Sequence, residues 1–142
     1  MSVAAILKHK TGDVASVAPE ATVADIATIL SDRRIGAVLV LVAGRLAGIV
    51  SERDIVHRLA KHGAAALDMT ASQVMTRHLQ TATPHTSVGD AMAMMTAGRF
   101  RHLPVLEGYA LVGIISIGDV VKARIDAQEN EVDSLKAYVA GG

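Results

Sequence analysis

The chain contains no cysteine and no tryptophan in 142 residues. A disulfide framework, a thiolate nucleophile and a cysteine-bearing zinc site are excluded, and the lack of cysteine is compatible with a reducing compartment. Aromatic side chains are nearly absent too, since Phe100, Tyr109 and Tyr138 make up the whole 2%. Any bound base must therefore be held by aliphatic groups and backbone rather than by stacking platforms. Charge of one sign is also missing, with 14 Lys+Arg balanced by 14 Asp+Glu. A neutral balance leaves no electrostatic footprint for nucleic acid or an anionic membrane, so neither is expected as a partner. No apolar run approaches the ~20 residues of a membrane span. The opening MSVAAILKHKTG carries its lysines after the apolar segment rather than before it, unlike a secretory leader. A soluble, cytoplasmic protein is the expectation.

What is present is a large apolar fraction, 51% of residues against 20% charged, enough for one domain-sized core. The sequence also repeats itself. Residues 19 to 56 lie over residues 84 to 121 at a constant offset of 65 without a gap, and 12 of the 38 pairs are identical. The identities include Pro19 with Pro84, Asp25 with Asp90, Arg34 with Arg99, Gly48 with Gly113, Ser51 with Ser116 and Asp54 with Asp119. Two copies are too few for a solenoid. A pair of units packed about a pseudo-twofold axis is expected instead.

Each copy shows the same order of elements. Val23, Ile26, Ala27 and Leu30 recur at helical spacing, as do Val88, Ala91, Met92 and Met95, with Thr22 and Ser87 as N-caps. Two short apolar strands follow in each copy, AVLVLV and RLAGIV in the first, HLPVLE and ALVGII in the second, joined at glycine turns. Pro104 predicts an exposed or irregular start to its strand. Ser51 and Ser116 then open second helices. The later one continues through Val121, Ile125, Val132, Leu135 and Val139 as an amphipathic tail with Glu129, Glu131 and Asp133 on its polar side. The unit is β-α-β-β-α, twice, an α/β or α+β module. Its parts are repeat 1 over 12–60, a linker over 61–71, repeat 2 over 72–126 and a helical tail over 127–142.

The strongest chemical signal is Gly48-Ile49-Val50-Ser51-Glu52-Arg53-Asp54, repeated as Gly113-Ile114-Ile115-Ser116-Ile117-Gly118-Asp119. In each, a strand ends, the serine begins a helix and the aspartate falls in its first turn. A hydroxyl, a carboxylate and unpaired helix N–H groups then face one region, a set that suits the diol and phosphate of a ribonucleotide. Ser-x-x-Asp before an apolar helix is equally the pattern of a capping box, in which each side chain satisfies a backbone donor.

These segments, with the strand entries RRIGAVLVL and RFRHLPVLE, the SQVMT segment before the second copy and the offset of 65, resemble the tandem cystathionine β-synthase (CBS) domain pairs. The resemblance covers residues 12 to 125. It implies a non-catalytic regulatory module binding adenosine ligands (AMP, ADP or ATP, in some cases NAD(H) or S-adenosylmethionine) in two clefts. By that resemblance Ser51, Asp54, Ser116 and Asp119 contact ribose and phosphate, while Ile35, Gly36 and Ala37, and Phe100, Arg101 and His102, form the adenine-contacting strand entries. One cleft would join Ile35–Ala37 with Ser116 and Asp119, the other Phe100–His102 with Ser51 and Asp54. The chain is similar to stand-alone bacterial members, which implies a homodimer and an unknown regulated protein. The tail would add to that dimer contact or cover its own core.

The copies are not identical in charge. Arg53 stands in the first motif where Gly118 stands in the second, and Arg101 and His102 are expected near a phosphate. The two sites are expected to differ. Among other chemistries, His9, His57, His62, His78, His85 and His102 form no His-Glu-x-x-His spacing, so no metal site is expected. P-loop and dinucleotide glycine patterns are absent, since Ile114 follows Gly113 where a P-loop needs lysine. Neither Ser51 nor Ser116 has a histidine base at a matching place in both copies. No catalytic residue is assigned. Met92, Met94 and Met95 read as adaptable core filling. The alternative function is a structural or interaction module whose two Ser-x-x-Asp segments are only caps.

Overall fold

The computed structural model describes residues 1–10 and 13–141. The start expected for repeat 1, at Gly12, lies outside the described residues. The chain forms α1 (Val3–His9), β1 (Ser16–Val17), α2 (Val23–Arg33), β2 (Ala37–Val42), β3 (Arg45–Ser51) and α3 (Glu52–His62). A 3-10 helix (Gly63–Asp68) and α4 (Ala71–Val74) follow. The second copy supplies α5 (Val88–Gly98), β4 (His102–Glu107), β5 (Ala110–Ser116) and α6 (Ile117–Gly141). Helix and strand mix as an α+β fold, and they gather into two units.

The unit of the first copy comprises residues 13–79 with 109–111. Its sheet has the order β1-β2-β3, with β1 parallel to β2 and β2 antiparallel to β3. Thr22 caps α2, its Oγ1 accepting from Asp25 N at 3.1 Å. Val23, Ile26 and Leu30 on the inner face of α2 bury against Val38 and Val40, which alternate along β2, and against Val50 and Ile55. α2 ends on Arg34 in the left-handed region (φ 53°), with Ile35 N donating to Leu30 O at 3.1 Å, so the last turn closes on the strand entry. The β2–β3 turn places both Ala43 (φ 50°) and Gly44 (φ 79°) at positive φ.

The 61–71 stretch expected as a linker is the end of α3, the 3-10 helix and the start of α4, and it lies against α2. Ala71 N donates to Ala21 O at 2.7 Å, Ser72 N to Pro19 O at 3.0 Å and Val23 N to Met69 O at 2.8 Å. Thr76 and Ile49 then exchange backbone bonds of 2.9 and 3.1 Å. A Cβ on Gly48 would stand 2.6 Å from Met75 Sδ and 2.8 Å from Thr76 O, so this close passage needs a glycine. The SQVMT segment, which precedes the second copy in sequence, thus packs on the first.

The unit of the second copy comprises residues 1–10 with 80–108 and 112–141. β4 and β5 form a two-stranded sheet, and a parallel bridge from Ala82 to Val105 stands where β1 meets β2 in the first copy. Ser87 Oγ accepts from Asp90 N at 3.0 Å and caps α5. Ala91 and Met95 are buried with Leu103, Val105, Ile115 and Val120, and Met92 and Met94 pack on that cluster. α1 completes this core with Val3 and Ile6, while Leu7 fills the space above Gly113. Val3 N donates to Thr86 O at 2.8 Å and Val88 N to Met1 O at 3.1 Å.

Pro104 corrects one expectation. It is the third residue of β4 and buried, not an exposed start. Ala82 N donates to the Pro104 carbonyl at 2.9 Å, so the bridge draws on the one backbone group proline retains.

α6 runs for 25 residues, about 37 Å at 1.5 Å per residue. Val120 is buried and Ala123 and Ala127 are half-buried, whereas residues 128–141 are all exposed. No helix among the described residues is long and apolar enough to cross a membrane.

Candidate functional site

Both Ser-x-x-Asp segments sit at the junction of a strand with a helix N-terminus, and both form reciprocal caps. At the first, Ser51 N donates to Asp54 Oδ2 at 2.8 Å while Ser51 Oγ accepts from Asp54 N at 3.3 Å. The serine hydroxyl also lies 3.0 Å from Asp54 Oδ2, and Thr76 Oγ1 donates to Asp54 Oδ1 at 3.2 Å. Both carboxylate oxygens are thereby oriented, and Asp54 is half-buried. The strand entry of the same copy abuts this junction: Ala37 pairs with Ser51 across the ladder, and Glu52 N donates to Gly36 O at 2.9 Å. Ile35 and Gly36 are half-buried and Ala37 is buried. Arg53 is exposed on the first turn of α3.

At the second junction Ser116 N donates to Asp119 Oδ2 at 2.8 Å and Asp119 N to Ser116 Oγ at 3.1 Å. Here a lysine stands in place of the threonine. Lys10 Nζ lies 2.9 Å from Asp119 Oδ2 and donates to Ile114 O at 2.8 Å. Partial burial pushes the Asp119 carboxyl up, but the Lys10 hydrogen bond, the Ser116 backbone bond and the Lys10 charge outweigh it and hold the group below its ordinary value. Ile117 N donates to Arg101 O at 2.8 Å, so this strand entry also abuts its own helix N-terminus. Arg101 is exposed and His102 is the half-buried first residue of β4. Phe100 packs against the core of the unit, and a Cβ on Gly98 would overlap its ring.

Asp119 and Lys10 open onto a groove of about 440 Å³ between α1 and α6. Ala5, Ile6 and Ala123 line it with apolar surface, and His9 and Lys122 add polar groups beside the Lys10–Asp119 pair. Its volume falls within the range of small-molecule clefts.

Each copy therefore brings its own strand entry to its own serine and aspartate. Two residues were not legible as site residues, Lys10 on Asp119 and Thr76 on Asp54. The repeat held a signal for Thr76 alone. Extending the offset of 65 backwards sets Lys10 over Met75 and Thr11 over Thr76, just ahead of the gap-free match.

Two α+β copies of one element order, each ending a strand in a serine-aspartate cap, define a tandem-repeat module. The family model described as CBS domain matches residues 3–61 and 71–126, and the chain belongs to the CBS domain family. A mitochondrial CBS domain-containing protein of Arabidopsis thaliana is 36% identical over 126 residues, which cover 85% of this chain and 61% of that protein. The chain thus spans about three fifths of the length of that relative. A crystal structure of a CBS-domain-containing protein from Agrobacterium tumefaciens superposes with a TM-score of 0.84 at 43% identity, covering 87% of this chain and 99% of that one. A CBS domain protein from Pyrobaculum aerophilum, complexed with AMP, gives a TM-score of 0.74 at 26% identity, covering 84% and 89%.

Proposed function

We propose that this protein is a non-catalytic sensor that binds adenosine nucleotides at its two serine-aspartate junctions and passes their occupancy to a partner protein. The observation that carries the reading is the second junction, where Asp119, capped by Ser116 and paired with Lys10, lines with Lys10 a groove of about 440 Å³. A carboxylate there accepts from a ribose diol, and an ammonium and helix N–H groups favour phosphate. The AMP complex of the Pyrobaculum relative supports the ligand class. AMP is the first ligand to test, with ADP, ATP, NAD(H) and S-adenosylmethionine beside it. In this reading Ser116 and Asp119 hold the ribose and phosphate of one adenosine and Ser51, Arg53 and Asp54 those of the other, with the strand entries Ile35–Ala37 and Phe100–His102 as the adenine contacts. Thr76 on Asp54 and Lys10 on Asp119 make the two sites unequal in affinity. The protein acts in the cytoplasm as a homodimer in energy sensing, and nucleotide regulates it only through different affinities for two states.

A second reading has its own observation, the complete caps at Ser51–Asp54 and Ser116–Asp119. If those residues only cap, the module serves interaction rather than sensing. Thermal unfolding of nucleotide-stripped protein with each adenosine ligand, and with GMP as control, separates the two. A ligand at 100 times its Kd stabilises the native state by about 2.7 kcal/mol, a rise of several degrees. The sensor reading expects this rise with AMP or another adenosine ligand, and its reduction in Asp54→Ala or Asp119→Ala. Loss of about 0.5–2 kcal/mol of stability in those variants with no ligand effect in any of them would leave only the caps.

A further inference from the structure

The outer half of α6 is a helix without a core. Residues 128–141 are exposed throughout, although an isolated helix of ~12–15 residues is marginal in water. Its apolar residues are not scattered. Val121, Ile125, Val132, Leu135 and Val139 fall at alternating steps of four and three or their multiples, with Gln128 completing the series. That is a heptad seam, with Ile125, Val132 and Val139 at a and Val121, Gln128 and Leu135 at d. The seam is turned away from the unit that carries it. Val120, Ala123 and Ala127, about 100° round the helix, take the inward stripe, while Val132, Leu135 and Val139 stay 49%, 63% and 70% exposed.

The flanking charges select the occupant. Arg124 and Glu131 fall at g, Glu129 and Lys136 at e. In a parallel, in-register pair each g residue faces the e residue five positions on in the other helix. Arg124 of one copy then meets Glu129 of the other, and Glu131 meets Lys136, so every such pair is attractive, twice over by symmetry. β-branched residues at a, with leucine at one d, favour two strands.

We infer that α6 pairs with α6 of a second copy of this chain as a short parallel two-stranded coiled coil over residues 121–139. The inference deepens the homodimer reading by naming its surface and orientation. It uses no residue of either serine-aspartate junction, so its failure leaves the nucleotide response intact.

The full chain tests it, because a protein without cysteine accepts single cysteines cleanly. Val132→Cys places a thiol at an a position, where a parallel pair brings it against its own copy, and Ala137→Cys places one on the outer f position. Under diamide, Val132→Cys should form disulfide dimers at least about tenfold faster than Ala137→Cys. By sedimentation equilibrium, Lys136→Glu should raise the dimer Kd about tenfold by setting Glu131 against glutamate, and Glu131→Lys with Lys136→Glu should restore it. These positions are exposed, so the fold should persist, with circular dichroism as the check. A monomeric full chain at tens of micromolar, equal crosslinking of the two cysteine variants, an unchanged Kd in Lys136→Glu or no rescue in the double variant would each overturn the coil.

Discussion

The Lys10–Asp119 pair joins residues 109 apart in sequence and ties α1 to the second Ser-x-x-Asp junction. Replacing Lys10 by methionine keeps the aliphatic stem and removes both the 2.9 Å contact to Asp119 and the 2.8 Å bond to Ile114 O. Buried charge-assisted bonds contribute about 1.5–3 kcal/mol each, but the Lys10 side chain is 35% exposed, so solvent screening brings the expected loss to about 1 kcal/mol near neutral pH. For a chain of this length that lowers Tm by about 3–5 °C. A double-mutant cycle of Lys10→Met with Asp119→Asn, by urea unfolding, should return a coupling of about 0.5–1 kcal/mol. The pH dependence has a definite sign. The folded-state pKa of Asp119 is depressed, so its contribution is present above the ordinary carboxyl value of 3.8 and is lost as pH falls through the lower folded value. Carboxyl carbon NMR reads the same effect directly, since Asp119 should titrate below 3.8 in the unsubstituted chain and move upward in Lys10→Met, where burial is opposed only by the Ser116 bonds. A coupling under about 0.2 kcal/mol near neutral pH, one that persists at acid pH, or an Asp119 that titrates at or above its ordinary value would refute the argument.

Four further substitutions probe the frame of the two copies. Gly48→Ala sets a methyl against the Thr76 carbonyl and should cost about 1–3 kcal/mol in urea unfolding, whereas Gly113→Ala meets only the mobile end of Leu7 and should cost clearly less. Ala43→Asn should raise stability by about 0.5–1 kcal/mol, because alanine now holds a left-handed turn position that asparagine tolerates better; a loss would mean that the turn is not the strained element. Ser87→Ala should lose about 1 kcal/mol by removing the α5 cap, and a neutral result would show that water replaces it.

Much of each repeat was legible because its signals are local. The inward faces of α2 and α5 follow from apolar spacing, and Thr22, Ser87 and the two Ser-x-x-Asp caps follow from residue type and position. Chemistry beyond capping was suggested but not assigned, since a capping box and a ribose clamp use the same two side chains. Arg34 and Arg99 show the same limit. Their identity across the copies marked them, but only the backbone reveals that both end a helix at positive φ.

By itself the sequence determined the repeat, the order of elements within each copy and the capped strand–helix junctions, all of which depend on neighbours a few residues away. Only the tertiary structure decided which unit each lead-in segment joins. The segment before copy one packs in the unit of copy two, and the segment before copy two packs in the unit of copy one. Two similar copies offer similar docking surfaces, Gly48 under Met75 and Gly113 under Leu7, so local pattern cannot choose between them. The choice rests on long-range packing, and it is this choice that sets Lys10 on Asp119 and Thr76 on Asp54 and makes two nearly identical motifs chemically different.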